Sequence, residues 1–186
     1  NLFEFNDVVT PEEGALMEPM SVGFHGAFSV KPQLGETIVV LGAGPIGLSA
    51  AAGLIGEGIE NVIVVDIDAF RLEKARTIGA KTVNTSEVSL SEGLAEFAGT
   101  VNVYGVDVPN VDAFVDTAGA PPLITEVMNI VKPFVRIAII AVYKSEVPIS
   151  LSHIMSKEVT IVGASGYTTE DILKVIDHLN NKKTPI

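Results

Sequence analysis

Apolar positions in this chain fall into short runs separated by helical patterns, and the alternation recurs along its length. Residues 37–41 form a β-branched run suited to a buried strand, and from 46 to 55 small and aliphatic side chains describe a helix apolar almost all round. A second run, 62–65, ends in Asp66. Phe70, Leu72, Ala75 and Ile78 then recur at helical spacing, with Gly79 placed to terminate the helix. Residues 81–83 predict a third, short strand.

The same rhythm predicts a strand at 111–115, a helix at 123–131, and strands at 136–142 and 159–162. The final helix has Thr168 or Thr169 as its cap, Glu170 and Asp171 in the first turn, and Ile172, Val175, Ile176 and Leu179 on one face. Upstream, residues 12–30 read as helical with a break at Pro19, because Met20, Phe24, Ala27 and Phe28 recur at helical spacing; 31–36 read as a turn. Residues 86–110 are polar and read as surface connection, with one helix around Leu94. Strands alternating with helices in this way call for a mostly parallel sheet covered on both faces. The predicted fold is α/β, a Rossmann doubly wound sheet in the order 3-2-1-4-5-6.

Composition narrows the ligands. A chain of 186 residues, 47% hydrophobic and 19% charged, supports one sizeable core. A net charge of −11 and a pI near 4.6 oppose binding to nucleic acid or an acidic membrane surface, which leaves small molecules as the expected partners. There is no cysteine, hence no disulfide framework and no cysteine metal site, and a cytoplasmic location is expected. Residues 1–11 are acidic, unlike a signal peptide, and the most apolar stretch, 38–56, is interrupted by five glycines and a proline, unlike a membrane span.

The chemistry concentrates in Gly42-Ala43-Gly44-Pro45-Ile46-Gly47, a G-x-G-x-x-G between a predicted strand and a predicted helix. Gly42 permits the tight turn, Gly44 lets a pyrophosphate approach bare backbone, and Gly47 lets helix and strand pack closely. Free N–H groups of the first helical turn and the helix dipole then form an anion site, and Pro45 forgoes only an N–H that the helix start cannot use. Asp66 lies 19 residues beyond Gly47, where a carboxylate accepts hydrogen bonds from adenine-ribose hydroxyls and repels the 2′-phosphate of NADP. The predicted cofactor is therefore NAD. The alternative for Asp66 is a helix cap, and for Asp68 capping or exposure is favoured over ribose contact.

These residues resemble a family. The segment from Glu13 through Glu18-Pro19-Met20-Ser21-Val22-Gly23-Phe24-His25-Gly26 to Ala27, then Leu41 to Leu48, then Asp66 with Arg71-Leu72 and Gly79-Ala80, is similar to the medium-chain, usually zinc-dependent alcohol and polyol dehydrogenases, most of all the sorbitol and butanediol branch. The likeness runs from about Pro11 to the last helix. It implies a cofactor-binding domain at 37–186, with 1–36 a linker and helical segment leading from a catalytic domain absent from this sequence.

Residue by residue, the resemblance implies Gly42, Gly44, Pro45, Ile46 and Gly47 at the diphosphate, Asp66 and Arg71 at the adenine ribose, and Thr117, Ile140 and Val142 near the nicotinamide. A solvated helix position is the alternative for Arg71, and ordinary strand-end core for the last three. Glu18 stands where the family has an acidic residue that approaches the catalytic zinc or its water; a helix cap is its alternative. Two features depart from the pattern: Lys132-Pro133 is followed by Phe134-Val135 instead of a glycine pair, and the zinc ligands are missing. His25, His153 and His178 lie on separate predicted elements and do not replace them.

The function implied is NAD(H) binding within an alcohol or polyol dehydrogenase, with zinc in the full-length enzyme only and this chain alone inactive. Its alternatives are a zinc-free quinone or enoyl reductase of the same superfamily and a regulatory nucleotide-sensing domain. By analogy with the family, a homodimer or homotetramer is expected.

Overall fold

The structure is a computed structural model and describes residues 3–185. Six parallel strands make its main sheet: β1 (Thr37–Leu41), β2 (Asn61–Asp66), β3 (Lys81–Asn84), β6 (Ala113–Asp116), β7 (Arg136–Ile139) and β8 (Thr160–Gly163). They lie in the order β3-β2-β1-β6-β7-β8, which is the predicted 3-2-1-4-5-6 once β4 (Thr100–Val103) and β5 (Val106–Pro109), a separate hairpin, are set aside. Val39 sits centrally, paired with Ile63 on one side and Phe114 on the other.

Because both faces of the sheet are covered, successive strand residues enter different cores, and each strand reads as a continuous apolar run. Ile38, Val40, Val62 and Val64 pack with Ala50, Ala51 and Leu54 of α3 (Pro45–Gly56) and Leu72 of α4 (Ala69–Thr77). Val39, Leu41, Ile63 and Val65 pack on the opposite face with Leu90 and Leu94 of α5 (Leu90–Ala98) and Ile124 and Val127 of α6 (Pro121–Ile130).

α2 (Met17–Ser29) lies against α3 and against α8 (Thr169–Asn180). Its Phe24 is fully buried and meets Phe28 and His178 edge-on, with centroids 5.7 and 4.9 Å away. His178, on α8, has no exposed surface and uses both ring nitrogens, one 2.7 Å from Thr184 Oγ1 and the other 2.6 Å from a carboxylate oxygen of Glu57. A Thr168–Asp171 capping box starts α8, and the Asp171 carboxylate also meets His25 at 2.9 Å.

Several boundaries differ from the sequence reading. The helical break falls at Leu16, between α1 (Pro11–Ala15) and α2, rather than at Pro19. Pro19 occupies the first turn of α2, where a missing N–H breaks no intrahelical bond. β7 stops at Ile139 instead of reaching residue 142, and α7 (Leu151–Lys157) follows before β8. Within 86–110 the helix expected around Leu94 is α5, and the largest correction is the rest, which forms the hairpin of β4 and β5 and not mere connection. Among the described residues, no helix is long and apolar enough to cross a membrane.

Candidate functional site

A cavity of about 500 Å³ opens where the carboxyl ends of β1, β2 and β6 meet, bordered by Gly42, Gly44, Asp66, Arg71 and Thr117. This is the edge at which the connections from β1 and β6 leave toward opposite faces, to α3 and to α6, the place where doubly wound sheets bind ligands.

The glycine loop forms one wall. Gly42 takes φ +97°, closed to most side chains. A Cβ at Gly47 would lie 1.9 Å from the Gly42 carbonyl oxygen, so only hydrogen fits where α3 crosses the loop. At Gly44 the opposite holds: a Cβ would meet nothing within 4 Å, although its φ of −73° suits any residue. Gly44 is the N-cap of α3, no side chain caps that end, and Pro45 opens the helix. The N–H groups of the first turn thus lack intrahelical partners and stand at an open cleft at the positive end of the helix dipole. Ile46 and Gly47 belong to that turn.

Asp66 forms the floor. Its Oδ2 accepts the Ala43 N–H at 2.7 Å, and its Oδ1 accepts the N–H groups of Ile67 at 2.7 Å and Asp68 at 3.0 Å. It is not the cap of α4; that task falls to Asp68, which accepts from Phe70 and Arg71. Asp66 therefore ties the glycine loop to the end of β2 and fixes a carboxylate in the cavity wall. Arg71 borders the same cavity, with its guanidinium 3.8 Å from the Asp68 carboxylate and more than half exposed.

The remaining residues singled out from the sequence are placed less uniformly. Thr117 stands in the cavity wall, but its hydroxyl donates to the Leu41 carbonyl at 2.7 Å, bracing the loop. Ile140 turns its side chain onto Gly26 of α2, where an added Cβ would meet Ile140 Cδ1 at 1.9 Å. Val142 is 88% exposed. Glu18 is exposed in the first turn of α2 and does not line the cavity.

Sequence reasoning missed a second carboxylate at a strand end, and this one is buried. Asp116, at the end of β6, is 1% exposed; its Oδ1 accepts the Ala118 and Gly119 N–H groups at 3.0 and 3.2 Å, and its Oδ2 accepts the Tyr143 hydroxyl at 2.5 Å. Burial, with the adjacent Asp116 charge, drives the Tyr143 phenol well above its ordinary range, so it remains a donor. Asp116 carried half of the signal that revealed Asp66, an acidic residue closing an apolar run, without the spacing from a glycine loop. Tyr143 carried none. The cavity also takes in Thr85, Leu123 and Glu126, outside any motif.

Among the described residues, no three His, Cys, Asp or Glu side chains are grouped to hold a metal ion. His25 lies on α2, His153 on α7 and His178 on α8.

Comparison with known proteins gives the family and the fold. The family model described as zinc-binding dehydrogenase matches residues 45–181. Sorbitol dehydrogenase of Bacillus subtilis is 34% identical over 168 residues, which cover 89% of this chain and 45% of that protein. L-threonine 3-dehydrogenase of Escherichia coli is 31% identical over 167 residues, covering 89% and 46%. The chain spans about half the length of these curated relatives. Among solved structures, 2R,3R-butanediol dehydrogenase from Bacillus subtilis superposes with TM-score 0.83 at 26% identity, covering 96% of this chain and 49% of that one. An Escherichia coli alcohol dehydrogenase complexed with NADH superposes with TM-score 0.84 at 27% identity, covering 98% and 51%. With most of its length matched by one family model and its fold shared with those enzymes, the chain belongs to the zinc-binding dehydrogenase family.

Proposed function

We propose that this chain is the NAD(H)-binding part of an alcohol or polyol dehydrogenase, with residues 37–186 as the cofactor domain and 1–36 leading into it. The observation that carries the reading is Asp66, a fixed carboxylate bonded to the backbone of an open glycine loop in one cavity. NAD fits the residues present. Its diphosphate would take the N–H groups of Gly44, Ile46 and Gly47, where the bare Gly44 position leaves room for phosphate oxygens and Pro45 sets the helix start. Its adenine ribose would approach Asp66. A carboxylate offers about four acceptor sites. Three are taken by the N–H groups of Ala43, Ile67 and Asp68, which leaves the uncommitted site on Oδ2 for a ribose hydroxyl. The same charge repels a 2′-phosphate, and Arg71 lies alongside to meet ribose or adenine.

Beyond the glycine loop, Thr117, Ile140 and Val142 flank the nicotinamide half, Thr117 by bracing Leu41 and Ile140 through backbone near the cleft. When bound, NAD supplies the hydride acceptor for oxidation of an alcohol. The chain's own residues bind it, orient it and shield one side of it. Zinc does not fit the residues described here, so no step is assigned to it in this chain. In the full-length enzyme we place it outside this segment, with Glu18 facing it from the start of α2. The relatives that act on sorbitol and butanediol support a polyol or diol substrate.

The same reading includes a homodimer or homotetramer joined at β8, one of the two edge strands of the sheet, where Ile161 is 37% exposed. Light scattering giving a monomer mass would contradict it. A cytoplasmic location suits a cysteine-free, acidic chain.

Calorimetric titration with NADH and NADPH in parallel tests the central reading. NADH should bind measurably and NADPH much more weakly. Binding of neither, or tighter NADPH binding, overturns it.

A further inference from the structure

A buried carboxylate without a cationic partner is costly to fold around, and Asp116 is such a group. Its charge is balanced by three donors, the Ala118 and Gly119 N–H groups and the Tyr143 hydroxyl. Its backbone carbonyl accepts two more, from Ile140 and Ala141 at 3.0 and 3.1 Å. One residue at the end of β6 thus gathers two otherwise separate segments, 117–120 and 140–143. They are in direct contact, since a Cβ at Gly119 would lie 3.1 Å from the Ala141 Cβ and 3.2 Å from the Val142 carbonyl oxygen. The first segment reaches the glycine loop: a Cβ at Gly42 would lie 3.0 Å from Thr117 Oγ1 and 3.2 Å from the Ala118 nitrogen.

Segment 140–143 has no helix or strand of its own to hold it, because β7 ends at Ile139. Beyond the two N–H groups given to Asp116 and the packing of Ile140 against Gly26, its polar side-chain anchor is the Tyr143 hydroxyl, half-buried against the carboxylate. A dinucleotide divides over a doubly wound sheet, its adenosine over the strands on one side of β1 and its other half over those on the far side. Asp116 and Tyr143 belong to the far side, and neither touches the Asp66 floor.

We propose that Asp116 and Tyr143 are a positioning pair for the nicotinamide half of the cofactor, fixing the wall made by 117–120 and 140–143 and leaving the adenosine half independent of it. The inference rests on the NAD(H) reading above and adds to it two residues and a division of labour. Neither residue touches a reacting atom; each acts through the backbone it holds.

The test is Tyr143→Phe, which removes one oxygen and keeps the ring, with titrations of NADH and ADP-ribose and the emission of bound NADH as readouts. ADP-ribose retains the adenosine and diphosphate and lacks the nicotinamide. NADH affinity should fall about five- to tenfold, the order of one ordinary net hydrogen bond, while ADP-ribose affinity holds. The emission of bound NADH should move toward that of the free form as the ring loses its wall. Asp116→Asn should give the same selective loss, more strongly. If either variant lowers both affinities alike, the pair is merely structural; if neither affinity nor emission changes in Tyr143→Phe, the pair does not position the ring. Either result overturns the inference and leaves NAD(H) binding intact, whereas a wild-type chain that binds neither ligand overturns the underlying reading itself.

Discussion

Where β1 gives way to α3, the cavity is walled by backbone: Gly42 at φ +97°, Gly44 facing open space, and Gly47 pressed to the Gly42 carbonyl. Across the cavity, where β6 ends, the backbone of 117–120 is held by side chains, an aspartate buried beneath it and a tyrosine 27 residues further on that reaches back to that aspartate. The first wall works because side chains are absent, and its parts are contiguous in sequence. The second works because two side chains meet, and its parts are distant. A wall of the first kind should fail abruptly when any atom is added; one of the second kind should loosen by degrees.

The sharpest way to break the comparison is to add a methyl group to the first wall at two places. Gly47→Ala puts a Cβ within 1.9 Å of a carbonyl oxygen that cannot move without dragging β1. We expect a loss of about 3 kcal/mol or more, at the upper end for overpacking, and a melting temperature lower by roughly 6–12 °C. NADH binding should become undetectable. Gly44→Ala meets nothing and keeps an ordinary φ, so its melting temperature should stay near wild type while NADH affinity falls. Calorimetry and thermal denaturation of both variants decide the matter. Equal stability of the two would mean that Gly47 is not a packing position.

A smaller effect is expected from changing the charge of the floor while leaving the loop in place. Asp66→Asn keeps one oxygen acceptor and removes the repulsion toward a 2′-phosphate. The preference for NADH over NADPH should shrink about tenfold, or ~1.4 kcal/mol. Parallel titrations measure it. An unchanged preference would move the selectivity to Arg71 or to the wall across the cavity.

The same contrast governs what could be read from sequence. The strand order followed from the runs 37–41 and 62–65, whose residues are buried on both faces and so leave an unbroken apolar trace. Asp66 was found because its distance from Gly47 is set by one turn of the fold. Asp116 closes its strand in the same manner but follows no glycine loop at a fixed spacing, and Tyr143 lies in a segment whose shape only the folded protein defines. The β4–β5 hairpin did leave a trace, valines at 101, 103, 106 and 108 about a Tyr-Gly pair. That trace is faint because the hairpin is a separate two-stranded sheet, and of these four valines only Val108 is buried. Pro19 misled for a different reason, since a proline in a first turn starts a helix as readily as it ends one.

Acid should sharpen the distinction between the cavity and the helical layer behind it. Glu57 is partly buried, which raises its pKa, but the His178 hydrogen bond and the Lys174 charge outweigh this and leave it below the ordinary value. Asp171 behaves likewise, its burial outweighed by bonds from Thr168 and His25. Carboxyls with lowered folded-state values contribute stability that is complete above the ordinary carboxylate range and disappears as pH falls through those lower values. The melting temperature should therefore drop as the solution is taken below that range, and Glu57→Gln, which keeps an oxygen near His178, should flatten this dependence. A pH profile identical to wild type would mean that the clasp between α3 and α8 contributes nothing.

The smallest expected effect has the opposite sign and lies outside both walls. The turn between β4 and β5 has two residues, Tyr104 at φ +51° and Gly105 at φ +88°, the combination of a type I′ hairpin turn. Gly105 suits its position, but Tyr104 holds a left-handed conformation that favours asparagine, and its ring is 87% exposed, so little packing compensates. Tyr104→Asn should raise stability by about 0.5 kcal/mol, or roughly 1–2 °C in melting temperature. NADH affinity should be unchanged, because neither hairpin strand borders the cavity. A drop in stability would show that the exposed ring makes a stabilising contact that outweighs the strain at its left-handed position.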